Sequence, residues 1–474
     1  MGPILLLLLS CAARDGAVRG GAPADPAQLA SFELAWSAIG EAYPDPAMKG
    51  LDWQGLHDEL LPEAQAARTN AETRAVIQKL LDALGDSHFQ VFPAAEDVPR
   101  EITLPTPPPS APPPPPAAPV DAPAPAAAAP PAPNDDEAPP PPPPPPPRPP
   151  LGGPGDAGFE LRLVEDQLML TRIRPGGPAD RAGLKVSQPV IAANGWMTAD
   201  WVKSVDYGVE ERLLPTMRSL SLSAVDEGLA GQVTTLTVMT LEGIREVQLT
   251  HEPSPGEIAE VGLMPPMAAW LESRIVPGDV GVIHFNVFMP SIGPAFTAAV
   301  ESLKAQGARA VVVDVRGNPG GVAVMAGNLA GHFVGKSKLS LGRMVGRDLD
   351  LQLLIRPRPA AQRIDGPVAV IIDELSMSTS EIFAAGLQGL GLARVFGAPT
   401  PGWALPSMVR ELPNGDRLQL VFSFLYGPDG QPVEARGVTP DELAPHTLAA
   451  LGQGVDQAEQ AAITWARRAL EKTP

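Results

Sequence analysis

The sequence predicts a mixed α/β chain, in which an α/β domain follows a β-rich domain and a small N-terminal helical domain. Three observations predict it. From 279 to about 445, short β-branched runs (280–285, 310–315 and 368–372) alternate with helical stretches at 296–306 and 322–334. That is the pattern of buried parallel strands joined by right-handed crossovers. From 157 to 253 the chain is strand-rich, and from about 26 to 96 it reads as helices.

The 474 residues are too many for one ordinary domain, and 59 prolines imply that part of the length is linker. A formal charge of −19 opposes nucleic-acid binding, which needs a basic footprint. It opposes adhesion to anionic lipid as well. Residues 1–25 form a candidate export segment. The apolar run Ile4 to Leu9 is too short to span a bilayer and has the character of a signal-peptide core. Cys11, the one cysteine in the chain, excludes an intramolecular disulfide. It follows Leu8-Leu9-Ser10 in a pattern resembling the lipobox of bacterial lipoproteins, although no basic residue precedes the run and Leu9 is larger than usual there. The expectation is an exported bacterial protein, periplasmic or anchored to the outer membrane through an acylated Cys11. A cleaved signal with an incidental cysteine is the alternative.

In the helical domain (26–100), Thr69-Asn70-Ala71-Glu72 has capping-box spacing. Ile77, Leu80, Leu81 and Leu84 then line one helix face, Gly85 ends the helix, and Asp86-Ser87-His88 follows. With no core of its own, this domain is expected to dock on a larger one. Residues 101–154 are a Pro/Ala-rich linker with an unbroken proline run from Pro139 to Pro147. Such composition favours polyproline II and reads as a spacer.

In the β-rich domain (155–253), Gly158-Phe159-Glu160-Leu161 opens the first strand. Gly177-Pro178-Ala179-Asp180-Arg181-Ala182-Gly183-Leu184 follows the second, and Thr234–Val238 and Arg245–Leu249 close the segment. This resembles a PDZ domain of the bacterial protease kind. In such a domain the backbone amides of the 158–161 loop would hold a peptide's terminal carboxylate, while the peptide adds as a strand.

Two strand-end turns carry the chemistry. Val370-Ile371-Ile372 runs through Asp373-Glu374-Leu375-Ser376-Met377-Ser378-Thr379-Ser380-Glu381 into a helix. A serine there stands on a rigid strand end at a helix N-terminus, which favours developing negative charge. Ser378 to Glu381 also fits a capping box, so a purely structural Ser378 is the competing reading. Upstream, Asp314-Val315-Arg316-Gly317-Asn318-Pro319-Gly320-Gly321 supplies glycines whose amides can approach an oxyanion.

These two turns, together with Gly437-Val438-Thr439-Pro440-Asp441, resemble the tail-specific, or C-terminal processing, protease family of PDZ-containing serine peptidases. The resemblance implies a crotonase/ClpP-like catalytic domain, here 254–450, with a C-terminal helix at 451–474. It makes Ser378 the nucleophile, with Thr379 and Gly320 or Gly321 as oxyanion donors. Many members pair the serine with a lysine twenty-five positions later and a glutamine four beyond it. Those places hold Trp403 and Ser407, and no lysine occurs from Leu339 to Leu470, which excludes a Ser-Lys dyad. A second branch, similar to the tricorn protease core, takes a histidine base from the N-terminal part and a C-terminal glutamate. Gly85-Asp86-Ser87-His88 and Val433-Glu434-Ala435-Arg436-Gly437 match those places. An imidazole titrating near pH 6.5 can take the serine proton and return it to the leaving amine, and Ser87 or Glu434 would hold its tautomer. His284, on a core strand, is the rival base. His57, His251 and His446 read as surface residues, and His332 as a packing or surface residue.

The expected function is a serine endopeptidase cleaving exported or unfolded proteins whose C-termini bind the PDZ domain, with no cofactor and no metal. Self-association is left open. The alternatives are a catalytically inactive PDZ scaffold and a carrier of apolar ligands on the same fold.

Overall fold

A six-stranded sheet organises the larger part of the chain. Its order is Leu271–Val276, Val280–Phe285, Ala310–Asp314, Val368–Ile372, Arg394–Gly397 and Glu442–Leu443. The first pair is antiparallel and the rest are parallel. The computed structural model describes residues 25–94, 153–205, 209–263 and 266–472. Cys11, the apolar run before it and nearly all of the proline-rich segment lie outside those residues.

Every residue of the strands Ala310–Asp314 and Val368–Ile372 is buried, because both faces of the sheet are covered. Ile283, Val311, Val313, Val370 and Ile372 pack under the helices Ile292–Ala305, Val324–Ala330 and Thr379–Gly389. Their alternates Val282, Val312, Ala369 and Ile371 pack under Ala458, Ala462 and Ala466 of the helix Gln457–Lys472. The period-two division explains the continuous apolar strands. It also makes the C-terminal helix, expected as a separate segment at 451–474, one layer of this domain. The first crossover helix starts four residues earlier than its apolar spacing suggested. The second is confined to Val324–Ala330.

The N-terminal helices are Pro26–Ala42, Trp53–Ala66 and Asn70–Leu84. Asp25 and Asp52 cap the first two through their carboxylates. Thr69 and Glu72 form the expected capping box on the third, and Gly85 ends it at φ 64°. Phe32, Ile39, Ile77, Leu80 and Leu84 share one core with Leu405, Leu412, Leu418 and Leu420. The strand Gln90–Phe92 pairs with Arg417–Val421, the inner strand of a three-stranded sheet completed by Ser407–Glu411. The helical layer is thus stitched to the domain of the six-stranded sheet by a shared core and a β-ladder, more intimately than a docked face would require.

The β-rich segment has its own core, including Phe159, Leu161, Leu170, Leu236, Val238 and Leu249. It combines the hairpin Phe159–Val164/Gln167–Ile173 with a sheet ordered Trp196–Met197, Val190–Ala193, Val233–Thr240, Gly243–Thr250. The helix Leu214–Asp226 completes it, with Leu222 and Val225 in the same core. Among the described residues no helix is long and apolar enough to cross a membrane.

Candidate active site

The two strand-end turns lock together. Asn318 donates through Nδ2 to Phe285 O (3.0 Å), and its carbonyl oxygen accepts Met377 N–H (3.1 Å) and Ser380 Oγ (2.8 Å). Asp373 accepts Gly317 N–H (2.9 Å) and Leu375 N–H (3.0 Å). Of the three serines in the turn 373–381, Ser376 and Ser380 are fully buried. Their hydroxyls donate to Val315 O and Asn318 O. Ser378 alone keeps partial exposure. Its φ of 53° and ψ of −114° lie outside the regions favoured by side-chain-bearing residues. The Ser378 amide donates to Trp403 O (2.8 Å) and Glu381 Oε2 (3.0 Å). The Glu381 amide donates to the Ser378 carbonyl oxygen (2.9 Å).

The glycines at 320 and 321 are used differently. An added Cβ on Gly320 would lie 2.7 Å from both Ser378 Cβ and Thr379 N, so this turn packs directly on Ser378. The Gly320 amide is already engaged by Asn318 Oδ1 (2.9 Å). Gly321 is held beside the helix start by Thr379 Oγ1, which donates to its carbonyl oxygen (2.8 Å). The amides of Gly321 and Thr379 have no intramolecular acceptor among the described residues. Of the expected oxyanion donors, these two are free and Gly320 is not.

The loop 400–404 connects this turn to the histidine expected as base. Trp403 accepts from Ser378, and the next amide, Ala404 N–H, donates to Glu434 Oε2 (2.7 Å). Glu434 Oε1 accepts Ser87 N–H (3.2 Å), and Ser87 Oγ lies 2.8 Å from His88 Nδ1. Burial raises the Glu434 carboxyl above its usual range. His88 sits at φ 63° and keeps intermediate exposure. The protein packed around it nevertheless pushes its pKa down to about 4. With Nδ1–H donating to Ser87 Oγ, Nε2 retains its lone pair. Nothing in the hydrogen-bonding joins Nε2 to Ser378 Oγ among the described residues. Gly437, in the third motif, admits this arrangement: a Cβ there would meet Thr400 O at 2.5 Å.

The loop bearing His88 has an anchor that the sequence reading missed. Tyr43, fully buried, donates its hydroxyl to Asp86 Oδ2. Lys49 Nζ binds Asp86 Oδ1 (2.6 Å) and Leu84 O (2.9 Å). Tyr43 lies in the turn after the first helix, and no local pattern links it to position 86.

The rival histidines are placed elsewhere. His284 packs edge-on against Trp270 (4.9 Å), and Asp314, Arg172, Glu160 and Arg316 set its electrostatics. His57 and His251, expected at the surface, are buried. His57 bonds Asp58 and Glu33 under Trp36, and His251 bonds Thr234 Oγ1 (2.8 Å). His332 is fully buried against Phe296. His57, His251 and His332 each bury the ring while a polar neighbour satisfies a nitrogen.

The loop expected to take a peptide carboxylate is internally satisfied. Gly158 N–H donates to Asp156 Oδ1, Leu161 N–H reaches Asp226 Oδ2 (3.4 Å), and Glu160 pairs with Arg172 (2.9 Å). The helix Leu214–Asp226 lies on the turn that carries Ser378: Leu220 packs on Leu375 and Met377. Ser219 Oγ donates to Glu374 Oε1 (2.7 Å), and Arg162 reaches Asp373 (3.3 Å).

Two stretches of the chain match known protein families. The model for peptidase family S41 matches residues 279–444, and the model for the tricorn protease C1 domain matches residues 28–82. Residues 279–444 thus form a segment of the peptidase family S41 type, and the chain is similar to C-terminal processing proteases. A probable CtpA-like serine protease of Staphylococcus aureus is 26% identical over 285 residues, 60% of this chain and 51% of that protein. Its Staphylococcus epidermidis counterpart is 23% identical over 284 residues, 60% of this chain and 52% of that protein. The chain thus spans about half the length of these relatives. In fold it is similar to the photosystem II D1 C-terminal processing protease, with TM-score 0.52, 18% identity and coverage of 92% and 97% of the two chains. It is similar also to mature CPAF, with TM-score 0.54, 12% identity and coverage of 94% and 97%. Both likenesses are of fold.

Proposed function

We propose that this protein is a serine endopeptidase of the Ser/His branch of its family, acting on exported or unfolded protein chains. The observation that carries the reading is the hydrogen-bonded path Ser378–Trp403–Ala404–Glu434–Ser87–His88. It brings two residues 290 positions apart into one frame, where a lysine base has no candidate.

In this mechanism substrate binding closes His88 Nε2 on Ser378 Oγ, a contact that apo enzymes often leave long. Nε2 takes the hydroxyl proton as Oγ bonds to the scissile carbonyl carbon. The resulting oxyanion is met by the amides of Thr379 and Gly321. His88 then gives its proton to the leaving amine, the C–N bond breaks, and water repeats the sequence on the acyl-enzyme. Ser87 fixes the imidazole tautomer, and Glu434 fixes Ser87 through the backbone. The β-rich domain, with its PDZ-like loop, presents the chain to be cut. Capture of a C-terminus at 158–161 requires the incoming carboxylate to displace Asp156 from the Gly158 amide.

A fluorophosphonate probe tests the reading. It should label the protein, and Ser378→Ala should abolish both labelling and cleavage of an unfolded substrate. Cleavage that persists in this variant ends the proposal.

A further inference from the structure

We infer that Glu381 is a positioning residue for the nucleophile: its carboxylate holds the Ser378 backbone and the loop 400–404 in one rigid frame. The inference rests on the assignment of Ser378 and His88 above.

The Glu381 side chain is fully buried and accepts three donors from two parts of the chain. Oε2 takes Ser378 N–H (3.0 Å), while Oε1 takes Thr400 Oγ1–H (2.5 Å) and Gly402 N–H (2.7 Å). A capping box needs only the first of these bonds. The other two point away from the helix, to the segment that ends at Trp403 and Ala404. Trp403 O is the second acceptor of the same Ser378 amide, and Ala404 N–H is the donor to Glu434. Both acceptors of that amide are therefore set by one carboxylate.

The loop is clamped from its other side too. Val438 N–H donates to Thr400 Oγ1 (2.8 Å), Thr400 N–H to Val438 O (3.1 Å), and Ala435 N–H to Gly402 O (2.8 Å). Glu381 thus joins the nucleophile turn to the segment bearing Glu434, and through it to His88. The strained backbone at Ser378 persists only where its surroundings over-determine it, and the two-acceptor amide supplies that constraint. Burial raises the Glu381 pKa to about 8, against the pull of its three donors. A carboxyl held there at such a cost fits a geometric role better than simple space filling.

The test is Glu381→Gln. Its carbonyl oxygen can keep Thr400 and Gly402, whereas its NH2 meets Ser378 N–H, donor against donor. Active sites are counted by probe titration, so that a fraction lost to misfolding does not enter the rate. The expected result is a kcat per titrated site, and a labelling rate, lower by about 100-fold, as for an ångström-scale displacement of a reacting group. KM should stay within about threefold, because binding precedes use of the nucleophile. An unchanged kcat per site overturns the inference. If Glu381→Gln does not fold, Thr400→Val tests the same frame from the loop side. A reduced kcat at constant KM supports the inference, and a wild-type kcat overturns it. Ser378→Ala run in parallel separates the layers. Cleavage that survives it defeats the assignment of the nucleophile, whereas an inert Ser378→Ala beside a wild-type Glu381→Gln defeats only the role of Glu381.

Discussion

Replacing His88 by alanine tests the base through both rate and pH. The imidazole is pinned at Nδ1 by Ser87 Oγ (2.8 Å), and burial pushes its pKa down to about 4. A base acts in its neutral form, so activity should rise with pH along a limb centred near 4, and a further rise near 8 belongs to ionisation of Glu381. An unperturbed imidazole would place that limb near 6.5. Loss of a general base costs about 10²–10⁴ in rate, or roughly 3–5.5 kcal/mol of barrier. The assay is kcat/KM for a quenched peptide from pH 3.5 to 9, beside fluorophosphonate labelling rates. Stability must be followed in the same buffers. With its folded pKa below the unfolded one, His88 binds more protons when unfolded between about 4 and 6.5, so its contribution to stability falls as pH drops through that window. A His88→Ala enzyme within tenfold of wild type, or one keeping the acid limb, refutes the reasoning. His284→Ala should leave the limb in place.

Tyr43→Phe removes a hydroxyl donated to the Asp86 carboxylate and should cost about 1.5–3 kcal/mol in denaturant melts. It should also lower kcat by loosening the loop that carries His88. Gly320→Ala places a Cβ 2.7 Å from Ser378 Cβ and Thr379 N at φ 98°, where neither neighbour can yield. Cleavage should fall at least about 100-fold while the protein still unfolds cooperatively, and near-normal turnover would show that the turn can relax. Asp416, fully buried, accepts Arg74 Nη1 (2.7 Å) and Ala94 N–H (2.9 Å) across the seam between the helical layer and the hairpin 407–421. Asp416→Asn should destabilise by about 3–5 kcal/mol and raise hydrogen exchange in residues 26–92 first. Uniform exchange would place that residue's role elsewhere.

The sequence made legible whatever short-range periodicity or turn chemistry encodes. The buried parallel strands showed as continuous β-branched runs, and Thr69, Glu72 and Gly85 bounded their helix as capping rules require. Ser378 stood out through its turn, but only the fold separates it from Ser376 and Ser380, whose hydroxyls face inward to backbone carbonyls 61 and 62 positions away. Other features depend on contacts that no local pattern can announce. Tyr43 meets Asp86 because two helices return the chain to the same place. The ladder between Gln90–Phe92 and Arg417–Val421 joins residues more than 320 positions apart, Phe92 being opposite Arg417. His57 and His251 looked superficial because their neighbours in sequence are polar, yet both are buried, against partners that include Glu33 and Thr234, 24 and 17 positions away. The 158–161 loop matched a carboxylate-binding pattern, while the residues that occupy its amides include Asp226, at the far end of a later helix.

The ladder that seats His88 also sets a clock on synthesis. Phe92 is made long before Arg417, its partner in register. At the usual pace of translation the interval of over 300 residues lasts roughly 15 to 65 s. Through that interval the helical layer has neither its sheet neighbour nor the leucines of the 405–420 segment to cover its apolar face. Glu434, which orders Ser87, arrives later still. The nascent polypeptide therefore carries a histidine without its support and, for most of that time, no serine to activate. The proposed serine–histidine site therefore assembles only after residue 434 has been made.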